Sequence, residues 1–246
     1  MDVRTAKRLA ARLVNTPFHP QWLLARNNSD YLQRLGEMLS GRILDIGCGH
    51  QSIRKFLTAD CEYTGIDYYM TARQWYGSKP GIYALADYLP FRDNEFDAVL
   101  LLDVLEHVPA TTGTLQEINR VLRFGGSVFV QLPFLYPLHD TPLDFYRWSE
   151  FGLKELLEIS GFSVQDMDAI GTPLETAVLM MNIALCKSVI NAWNRKNPLF
   201  LLVIIFPIII PLFNILALIL ARILPCDNFM PYRYRVLAVK TADRAT

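Results

Sequence analysis

The 246-residue chain has few cysteines, no net charge, and neither internal repeats nor low-complexity tracts. Its four cysteines are scattered, and none lies at Cys-x-x-Cys spacing or at zinc-ligand spacing from a histidine. We therefore expect neither a disulfide framework nor a metal site, and isolated thiols suit a reducing compartment. Because 24 basic residues balance 24 acidic ones, the charge gives no reason to expect nucleic acid as a partner.

The first residues also lack the apolar core of a secretory signal, because charged side chains interrupt them at Arg4, Lys7, Arg8 and Arg12. We therefore expect the body of the chain to be cytoplasmic. Residues 2–15 fit an amphipathic helix, which could lie on an anionic membrane or cover the edge of a sheet. A second helix is predicted at about residues 28–39, so residues 1–40 are interpreted as an N-terminal helical segment.

The middle of the chain alternates between short apolar runs and helical patterns. Strands are predicted at residues 42–46, 63–66, 82–84, 96–102, 127–132 and 162–167. Helical stretches are predicted between them, at residues 52–58, 71–76, 114–122 and 151–160, with a turn at residues 123–126. This alternation predicts an α/β fold with a doubly wound, mostly parallel sheet.

A glycine turn follows the first strand, in the segment Asp45-Ile46-Gly47-Cys48-Gly49. A strand that ends in Gly-x-Gly is typical of a nucleotide site, because glycine lets the backbone approach a ligand closely. A dinucleotide fingerprint would continue as G-x-G-x-x-G/A, whereas here Ser52 stands at the third position. Asp67, twenty residues after Gly47, suits a ribose in either a dinucleotide or another nucleoside site.

The motifs around this turn resemble the class I S-adenosylmethionine-dependent methyltransferases, in their type 11 branch. The resemblance covers about residues 41–167. It is carried in order by Leu44–Gly49, Tyr63–Asp67, Ala86–Phe91, Phe96–Val108 and Glu117–Gly126. It implies a seven-stranded sheet, with residues 234–240 as the last strand and a methyltransferase domain at 41–171 and 232–241. One departure is Gln51, where many members have a third glycine.

The resemblance also implies S-adenosyl-L-methionine as the cofactor. Asp45 and the backbone near Gly47 would hold its ammonium group, Asp67 its ribose and Asp87 its adenine. Asp103 follows the fourth strand, where the family lines the methionine pocket. The full set of predicted cofactor-binding residues is Asp45, Gly47, Cys48, Gly49, Asp67, Tyr68, Asp87, Tyr88 and Asp103.

A loop at residues 133–149 is the predicted acceptor side, because loops after central parallel strands lie at the ligand edge of the sheet. His139 is the candidate base, since the ordinary pKa of histidine, about 6.5, suits neutral pH. Asp140 or Asp144 could orient it, and Arg147 could hold an anionic group. Alternatively, Asp144 and Arg147 only fasten the loop, and His139 caps a turn. The predicted catalytic residues are His139, Asp144 and Arg147.

The longest apolar run is Leu199–Ala221, interrupted only by Asn214, and as a helix it would be ~34 Å long. Hydropathy alone favours one transmembrane span, but a single crossing would leave the last strand on the wrong side of the membrane. Residues 172–231 are therefore predicted to enter and leave on one face, either as a helical hairpin turning at residues 194–198 or as a shallow monotopic segment. Arg195 and Lys196 in the turn favour the monotopic form. The alternative is a buried helical subdomain or a dimer interface.

These patterns together predict a methyltransferase on the cytoplasmic face of a membrane. The acceptor is expected to be lipid-linked or membrane-derived (a glycan intermediate, a quinone or a lipid), and O-methylation is favoured because His139 is available. Two other interpretations stay open. One is a nicotinamide-dependent reductase, and the other is a non-catalytic membrane scaffold that keeps the fold.

Overall fold

The computed structural model describes residues 13–241, and the predicted helix at residues 2–15 lies mostly outside this range. Residues 13–15, the described end of that segment, form turns. The described chain divides into two compact units. One contains the sheet, in residues 31–134, 138–169 and 233–241, and the other contains residues 13–30, 135–137 and 170–232.

Within residues 13–241 the sheet has seven strands, in the spatial order β3-β2-β1-β4-β5-β7-β6. β1 pairs in parallel with β2 and β4, β2 with β3, and β4 with β5, whereas β7 runs antiparallel to β5. The strands are β1 Gly41–Ile46, β2 Cys61–Asp67, β3 Ile82–Tyr83, β4 Phe96–Leu102, β5 Leu122–Pro133, β6 Phe162–Ile170 and β7 Arg233–Lys240. The predicted doubly wound, mostly parallel seven-stranded sheet is confirmed.

The described helices come from both units. The α-helices are α1 Trp22–Ala25, α2 Asn28–Met38, α3 Thr111–Val121, α4 Glu150–Ile159, α5 Pro173–Asn194 and α6 Phe206–Ile223. Short 3₁₀ segments lie at Arg54–Phe56, Leu105–His107 and Pro198–Ile205, and a π-helical stretch lies at Thr71–Tyr76.

Alternate residues of the central strands point to opposite faces of the sheet, so each face has its own core. On one face the strands pack with α3 and α4, through Leu44, Val99, Val130, Leu115, Ile118, Leu153 and Leu157. On the other they pack with α2, through Ile43, Leu100, Phe129, Leu32 and Leu35. Parallel strands buried on both faces account for the near-continuous apolar run in β4.

Two local predictions were wrong. The crossover after β1 is not a helix over residues 52–58, because only the 3₁₀ turn Arg54–Phe56 forms and Leu57 is already extended. β2 begins at Cys61, which leaves too few residues for a longer helix. Residues 123–126, predicted as a turn, belong to β5, which carries a register shift against β4 between Phe96 and Ala98.

The second unit contains a helical hairpin. Thr172 and Glu175 form a capping box at the start of α5, with Pro173 in its first turn. α5 lies against both the 3₁₀ segment Pro198–Ile205 and α6, which follow it after a short turn. The backbone N–H of Tyr232 donates to the carbonyl of Ile170 at 3.0 Å, so the hairpin leaves and returns at neighbouring points of the chain.

The hairpin helices are apolar and largely exposed. Each of the segments Pro173–Asn194 and Pro198–Ile223 is long and apolar enough to cross a membrane. The most exposed apolar side chains, at 60% or more of their surface, include Leu199, Ile204, Ile208 and Ile223. A contiguous apolar surface of this kind is unusual on a protein that meets only water.

Residues of the N-terminal segment fall in both compact units. Leu23 packs with Leu179 and Tyr232 in the hairpin unit. Leu32 and Leu35 of α2 belong instead to the sheet core. The division follows the chain between Asp30 and Tyr31.

Candidate functional site

A cavity of about 390 Å³ opens at the carboxyl ends of the parallel strands in the sheet unit. This edge is where doubly wound folds bind ligands. Six of the nine predicted cofactor-binding residues line the cavity, namely Gly47, Gly49, Asp67, Tyr68, Asp87 and Asp103. The structure therefore brings together residues that lie as far as 56 positions apart in the chain.

The turn after β1 depends on backbone conformations that glycine adopts readily. Gly47 has φ +68°, and a Cβ there would come within 2.4 Å of Val104 Cγ2. Gln51 also has a positive φ, +56°, which explains why a third glycine is common at this position in the family the turn resembles. The side chain of Gln51 donates to the carbonyl of Lys79 at 3.3 Å, and the turn persists without glycine there.

Asp67 joins this turn to the end of β2. Its carboxylate accepts hydrogen bonds from the backbone N–H of Gly49 at 2.9 Å, from its neighbour Tyr68 at 2.7 Å and from the Thr71 hydroxyl at 3.3 Å. Burial raises the pKa of Asp67, and these three donors act against that rise. Because a carboxylate has about four lone-pair sites, the free state leaves room for about one further donor. A ribose diol with two donors would have to displace the longest of these bonds.

Asp103 occupies the matching position after β4 and has φ +59°, which is uncommon for a residue other than glycine. Its carboxylate accepts from Gln131 Nε2 at 2.7 Å, and the Arg235 guanidinium donates to the Gln131 amide oxygen at 2.8 Å. The side chain is therefore held from β5 and β7. Backbone conformations of this kind are concentrated at functional sites.

Three predicted cofactor-binding residues do not line the cavity. Asp45 is buried at the end of β1 and accepts a hydrogen bond from the Tyr63 hydroxyl at 2.6 Å. Burial raises the pKa of Asp45 to about 7, with the Tyr63 hydrogen bond opposing and the charge of Asp67 adding to the rise. Cys48 is a buried thiol whose pKa burial raises to about 12. Tyr88 is 77% exposed beside the loop before β4.

Aromatic and polar side chains from two other segments complete the cavity wall. Trp75 and Tyr76 come from the π-helical stretch, and Asp140 and Phe145 come from the loop after β5. The Tyr76 hydroxyl donates to the Asp140 carboxylate and so links the two segments. The three aromatic rings are each 40–46% exposed, so they present apolar faces to the cavity and to solvent.

His139, Asp144 and Arg147 are in contact with one another behind this wall. The guanidinium of Arg147 donates to both oxygens of Asp144, at 2.6 and 2.8 Å, and Asp144 Oδ2 lies 3.2 Å from His139 Nδ1. Burial alone would raise the pKa of Asp144, but Arg147 and the backbone N–H of His139 outweigh it and lower the pKa to about 2. Asp144, rather than Asp140, is thus the carboxylate that orients His139.

His107 stands between this trio and the cavity. It lines the cavity, and its ring meets that of His139 edge to face, with 4.8 Å between centroids. Its Nδ1 lies 2.7 Å from the carbonyl of Leu143, so in the neutral tautomer this nitrogen donates and Nε2 has the lone pair. Burial lowers the pKa of His139, which favours its neutral form. The described structure therefore holds a pair of histidines at one end of the cavity.

Glu106, like His107 and the aromatic residues of the cavity wall, was not among the predicted site residues. Its side chain is fully buried, and neither carboxylate oxygen has a hydrogen-bond partner within residues 13–241. Burial, reinforced by the nearby charge of Asp103, raises the pKa of Glu106 well above its usual value. Its position next to His107 in the motif Leu105-Glu106-His107 was the available signal, but the burial of its side chain depends on how the distant loop folds.

Comparisons with known proteins agree with this geometry. The model of the type 11 methyltransferase domain matches residues 44–130. A sterol 24-C-methyltransferase of Gibberella zeae is 32% identical over 42% of this chain and 30% of its own length. An assigned S-adenosylmethionine-dependent methyltransferase of Mycolicibacterium smegmatis is 32% identical over 57% and 60%. A ubiquinone biosynthesis O-methyltransferase of Dechloromonas aromatica is 27% identical over 66% and 72%.

The match thus spans less than two thirds of the sterol and Mycolicibacterium relatives. Solved structures show the same fold at lower identity. An S-adenosylmethionine-dependent methyltransferase from Archaeoglobus fulgidus aligns with a TM-score of 0.54 and 18% identity, over 86% of this chain and 92% of that one. The cyclase SpnF aligns with a TM-score of 0.53 and 19% identity, over 86% and 79%. A fold shared with a cyclase does not by itself establish methyl transfer.

The matched domain contains the end of β1, the glycine turn, Asp67, Asp87, Asp103 and most of β5, which build the larger part of the cavity. Family and geometry therefore identify the same edge of the sheet. Residues 44–130 of the chain match the type 11 methyltransferase domain, the family that the sequence motifs resemble.

Proposed function

We propose that this chain transfers a methyl group from S-adenosylmethionine to an oxygen of an apolar, membrane-derived acceptor, on the cytoplasmic face of a membrane. The observation that carries the proposal is the cavity at the strand ends, where the glycine turn, Asp67 and Asp87 form one side and aromatic side chains with His107 form the other. S-adenosylmethionine supplies a methyl group already activated by its sulfonium. The protein is left to position the acceptor, exclude water and accept a proton.

The residues of the cofactor side fit this molecule. Asp67 lies at the end of β2, where its carboxylate can accept from a ribose hydroxyl, and such charge-assisted hydrogen bonds are strong. Asp87, beyond β3, can accept from the adenine amino group. Gly47 and Gly49 let the backbone approach the methionine part closely, next to Asp103. Asp45 lies behind the turn and does not line the cavity, so in this proposal it supports the loop from behind through its hydrogen bond with Tyr63.

An apolar acceptor is supported by the aromatic wall and by two relatives. Trp75, Tyr76 and Phe145 offer flat apolar surfaces, which suit the ring or isoprenoid portion of a lipid. Two of the relatives described above are a sterol methyltransferase and a methyltransferase of ubiquinone biosynthesis, and both sterols and quinones are apolar. The sterol relative is named as a C-methyltransferase and the ubiquinone relative as an O-methyltransferase. The proposal that the methyl group goes to an oxygen therefore rests on the two histidines.

The histidine pair is the proposed destination of the acceptor proton. His107 faces the cavity, and His139 lies directly behind it. Asp144 and Arg147 fix the ring of His139, since the bidentate ion pair holds the carboxylate against its Nδ1. The neutral state favoured for His139 leaves the site able to take up a proton near neutral pH.

Membrane attachment is assigned to the hairpin in residues 172–231. Its helices expose apolar side chains along much of their length, and its two ends lie next to each other at Ile170 and Tyr232. The ends continue into β6 and β7 of one sheet, so the hairpin enters and leaves on one face. Lys187 within α5, and Arg195 and Lys196 in the turn, favour a monotopic hairpin over one that crosses the bilayer.

Calorimetry on the full chain in detergent tests the cofactor. We expect binding of S-adenosylmethionine and no binding of NADPH. The site has Asp67 to bind a ribose, but the glycine turn lacks the full dinucleotide fingerprint. Asp67→Asn should weaken S-adenosylmethionine about tenfold to hundredfold, through loss of a hydrogen bond to a charged group. Asp166→Asn, an exposed acid on β6, is the matched control and should bind as the original chain does.

The transfer itself is tested with S-adenosylmethionine labelled in its methyl group. The chain, reconstituted in liposomes, is mixed with an organic extract of cell membranes, and label is expected in the organic phase. Binding of NADPH alone would favour a reductase. Cofactor binding without label in any fraction would favour a scaffold that keeps the fold, and either result would overturn the proposal.

A further inference from the structure

Glu106, His107 and His139 present three ligand atoms to one point beside the cavity. Each of the two histidine Nε2 atoms lies close to the same carboxylate oxygen, Glu106 Oε1, at 3.7 Å for His107 and 3.8 Å for His139. The three ligand atoms all lie within 4.8 Å of one another. Glu106 and His107 come from the 3₁₀ turn after β4, and His139 comes from the loop after β5. The three residues are therefore brought together only when the chain folds.

The orientation of both rings is the one that metal-binding histidines have. The Nδ1 of His107 faces the carbonyl of Leu143 at 2.7 Å, and the Nδ1 of His139 faces the Asp144 carboxylate at 3.2 Å. An acceptor at Nδ1 favours the neutral tautomer that is protonated there, with the Nε2 lone pair toward Glu106. At His139 the Asp144 carboxylate favours this tautomer against the Arg147 guanidinium, which lies 3.4 Å from the same nitrogen. Metal-ligating histidines almost always donate their other ring N–H to a carboxylate or a backbone carbonyl in this way.

The buried carboxylate is a second, independent indication of a ligand. Glu106 is 0% exposed, and both of its oxygens have no hydrogen-bond partner among the described residues. An isolated buried carboxylate is costly unless it is neutralised or coordinates a metal. A cation between Glu106 and the two imidazoles would compensate its charge and occupy its lone pairs.

We propose that Glu106, His107 and His139 bind one divalent transition-metal ion. Two imidazole nitrogens and one carboxylate oxygen suit Zn²⁺, Mn²⁺ or Fe²⁺ better than Mg²⁺, which prefers oxygen ligands. Neighbouring ligand atoms around a tetrahedral zinc are about 3.4 Å apart, given bonds of about 2.1 Å. The two separations from Glu106 exceed this by a few tenths of an ångström, and all three ligand atoms lie within 4.8 Å of one another, so binding an ion requires the side chains to move inward by rotation.

Three protein ligands leave coordination positions open, and His107 lines the cavity, so an open position can face the acceptor. Resting on the proposed function, the ion would bind the acceptor hydroxyl and lower its pKa, and the proton would leave to solvent. With the ion bound, His107 and His139 would act as its ligands, and with the site empty they would act as the base. Asp144 and Arg147 then act as positioning residues that hold His139 as a ligand. The binding of the ion itself does not depend on methyl transfer.

The test measures metal binding by the full chain in detergent. After chelator treatment, the chain is dialysed against Zn²⁺, Mn²⁺ or Mg²⁺ alone, and bound metal is counted by mass spectrometry and its affinity by calorimetry. We expect one Zn²⁺ or Mn²⁺ per chain and weaker Mg²⁺. Glu106→Gln, His107→Ala and His139→Ala should each lower the affinity at least about tenfold. His50→Ala, an exposed histidine outside the cluster, should bind metal unchanged.

S-adenosylmethionine affinity, measured on the same metal-free samples, separates this proposal from the previous one. Glu106→Gln should fold and bind the cofactor, because it removes a buried charge and keeps the shape. An original chain that binds S-adenosylmethionine but no transition metal would overturn the metal site and leave the methyltransferase proposal intact. Equal metal binding by all four variants would place the ion elsewhere and would also overturn it. Metal binding without cofactor binding would support the site and contradict the methyltransferase.

Discussion

At the residue scale, the carboxyl group of Asp45 makes stability depend on pH. Its pKa is about 7 in the folded chain, above the ordinary value of 3.8, because the group is buried. A carboxyl whose folded pKa is raised contributes stability below pH 3.8, and the contribution is lost as the pH rises through about 7. We therefore predict that the melting temperature of the cofactor-free chain falls between pH 5 and pH 8, and that Asp45→Asn reduces this fall.

Thermal unfolding in detergent at several pH values measures the effect. The other titrating groups contribute equally to the melting temperatures of the variant and the original chain, so the difference between the two reports on Asp45. Tyr63→Phe is a useful partner variant. It removes the hydroxyl that donates to Asp45 at 2.6 Å and so should move the fall to higher pH. Identical pH profiles for the original chain and Asp45→Asn would contradict the assignment.

Some residue-scale features could be predicted from the sequence and others could not. The glycine turn and Asp67 were predictable because they lie next to strand ends, and strand periodicity places those ends at one edge of the sheet. The orientation of Asp45 was harder to predict, because it depends on the neighbouring Tyr63 of β2. The contacts of Glu106 could not be predicted at all, since they require the loop after β5 to fold back onto the turn after β4.

At the element scale, a buried asparagine pair fastens the hairpin. Asn214 is fully buried in α6, and its amide donates to the carbonyls of Pro17 at 2.7 Å and His19 at 3.2 Å. Its oxygen accepts from Asn182 of α5 at 2.9 Å. The sequence showed Asn214 only as an interruption of an apolar run, and its partners 32 and about 195 residues away could not be inferred from periodicity.

We predict that Asn214→Leu destabilises the hairpin unit by about 2–4 kcal/mol, because it leaves buried carbonyls and the Asn182 amide without their partner. Thermal unfolding in detergent, together with limited proteolysis around residues 13–30, measures the loss. Leu216→Ala removes an exposed side chain from the same helix and should change stability by less than about 0.5 kcal/mol. An Asn214→Leu chain as stable as the original would show that the polar contacts are dispensable.

At the scale of the whole molecule, the sequence was sufficient for the fold class because alternating elements and a final strand leave few topologies. For the insertion, the sequence favoured a shallow monotopic segment over a helical hairpin, whereas in the structure the helices pair as a hairpin, with α5 against the 3₁₀ segment and α6. Periodicity could not decide this, because both segments are apolar on most faces.

Thiol labelling in sealed vesicles determines the topology. We predict that a membrane-impermeant maleimide reaches Cys226, which follows α6, from the same side as a cysteine placed at Lys154 on the exposed face of α4. Three single-cysteine chains are compared. One keeps only Cys226, and in the other two all native cysteines are replaced and the single cysteine is introduced by Lys154→Cys or Lys196→Cys. Both ends of the hairpin return to one sheet, so both sites should be labelled from one side. If Lys154→Cys were labelled before permeabilisation and Cys226 only after it, entry and exit on the same face would be contradicted. For Lys196→Cys in the hairpin turn, labelling from that same side supports the monotopic form, whereas labelling only after permeabilisation would mean that the hairpin crosses the bilayer.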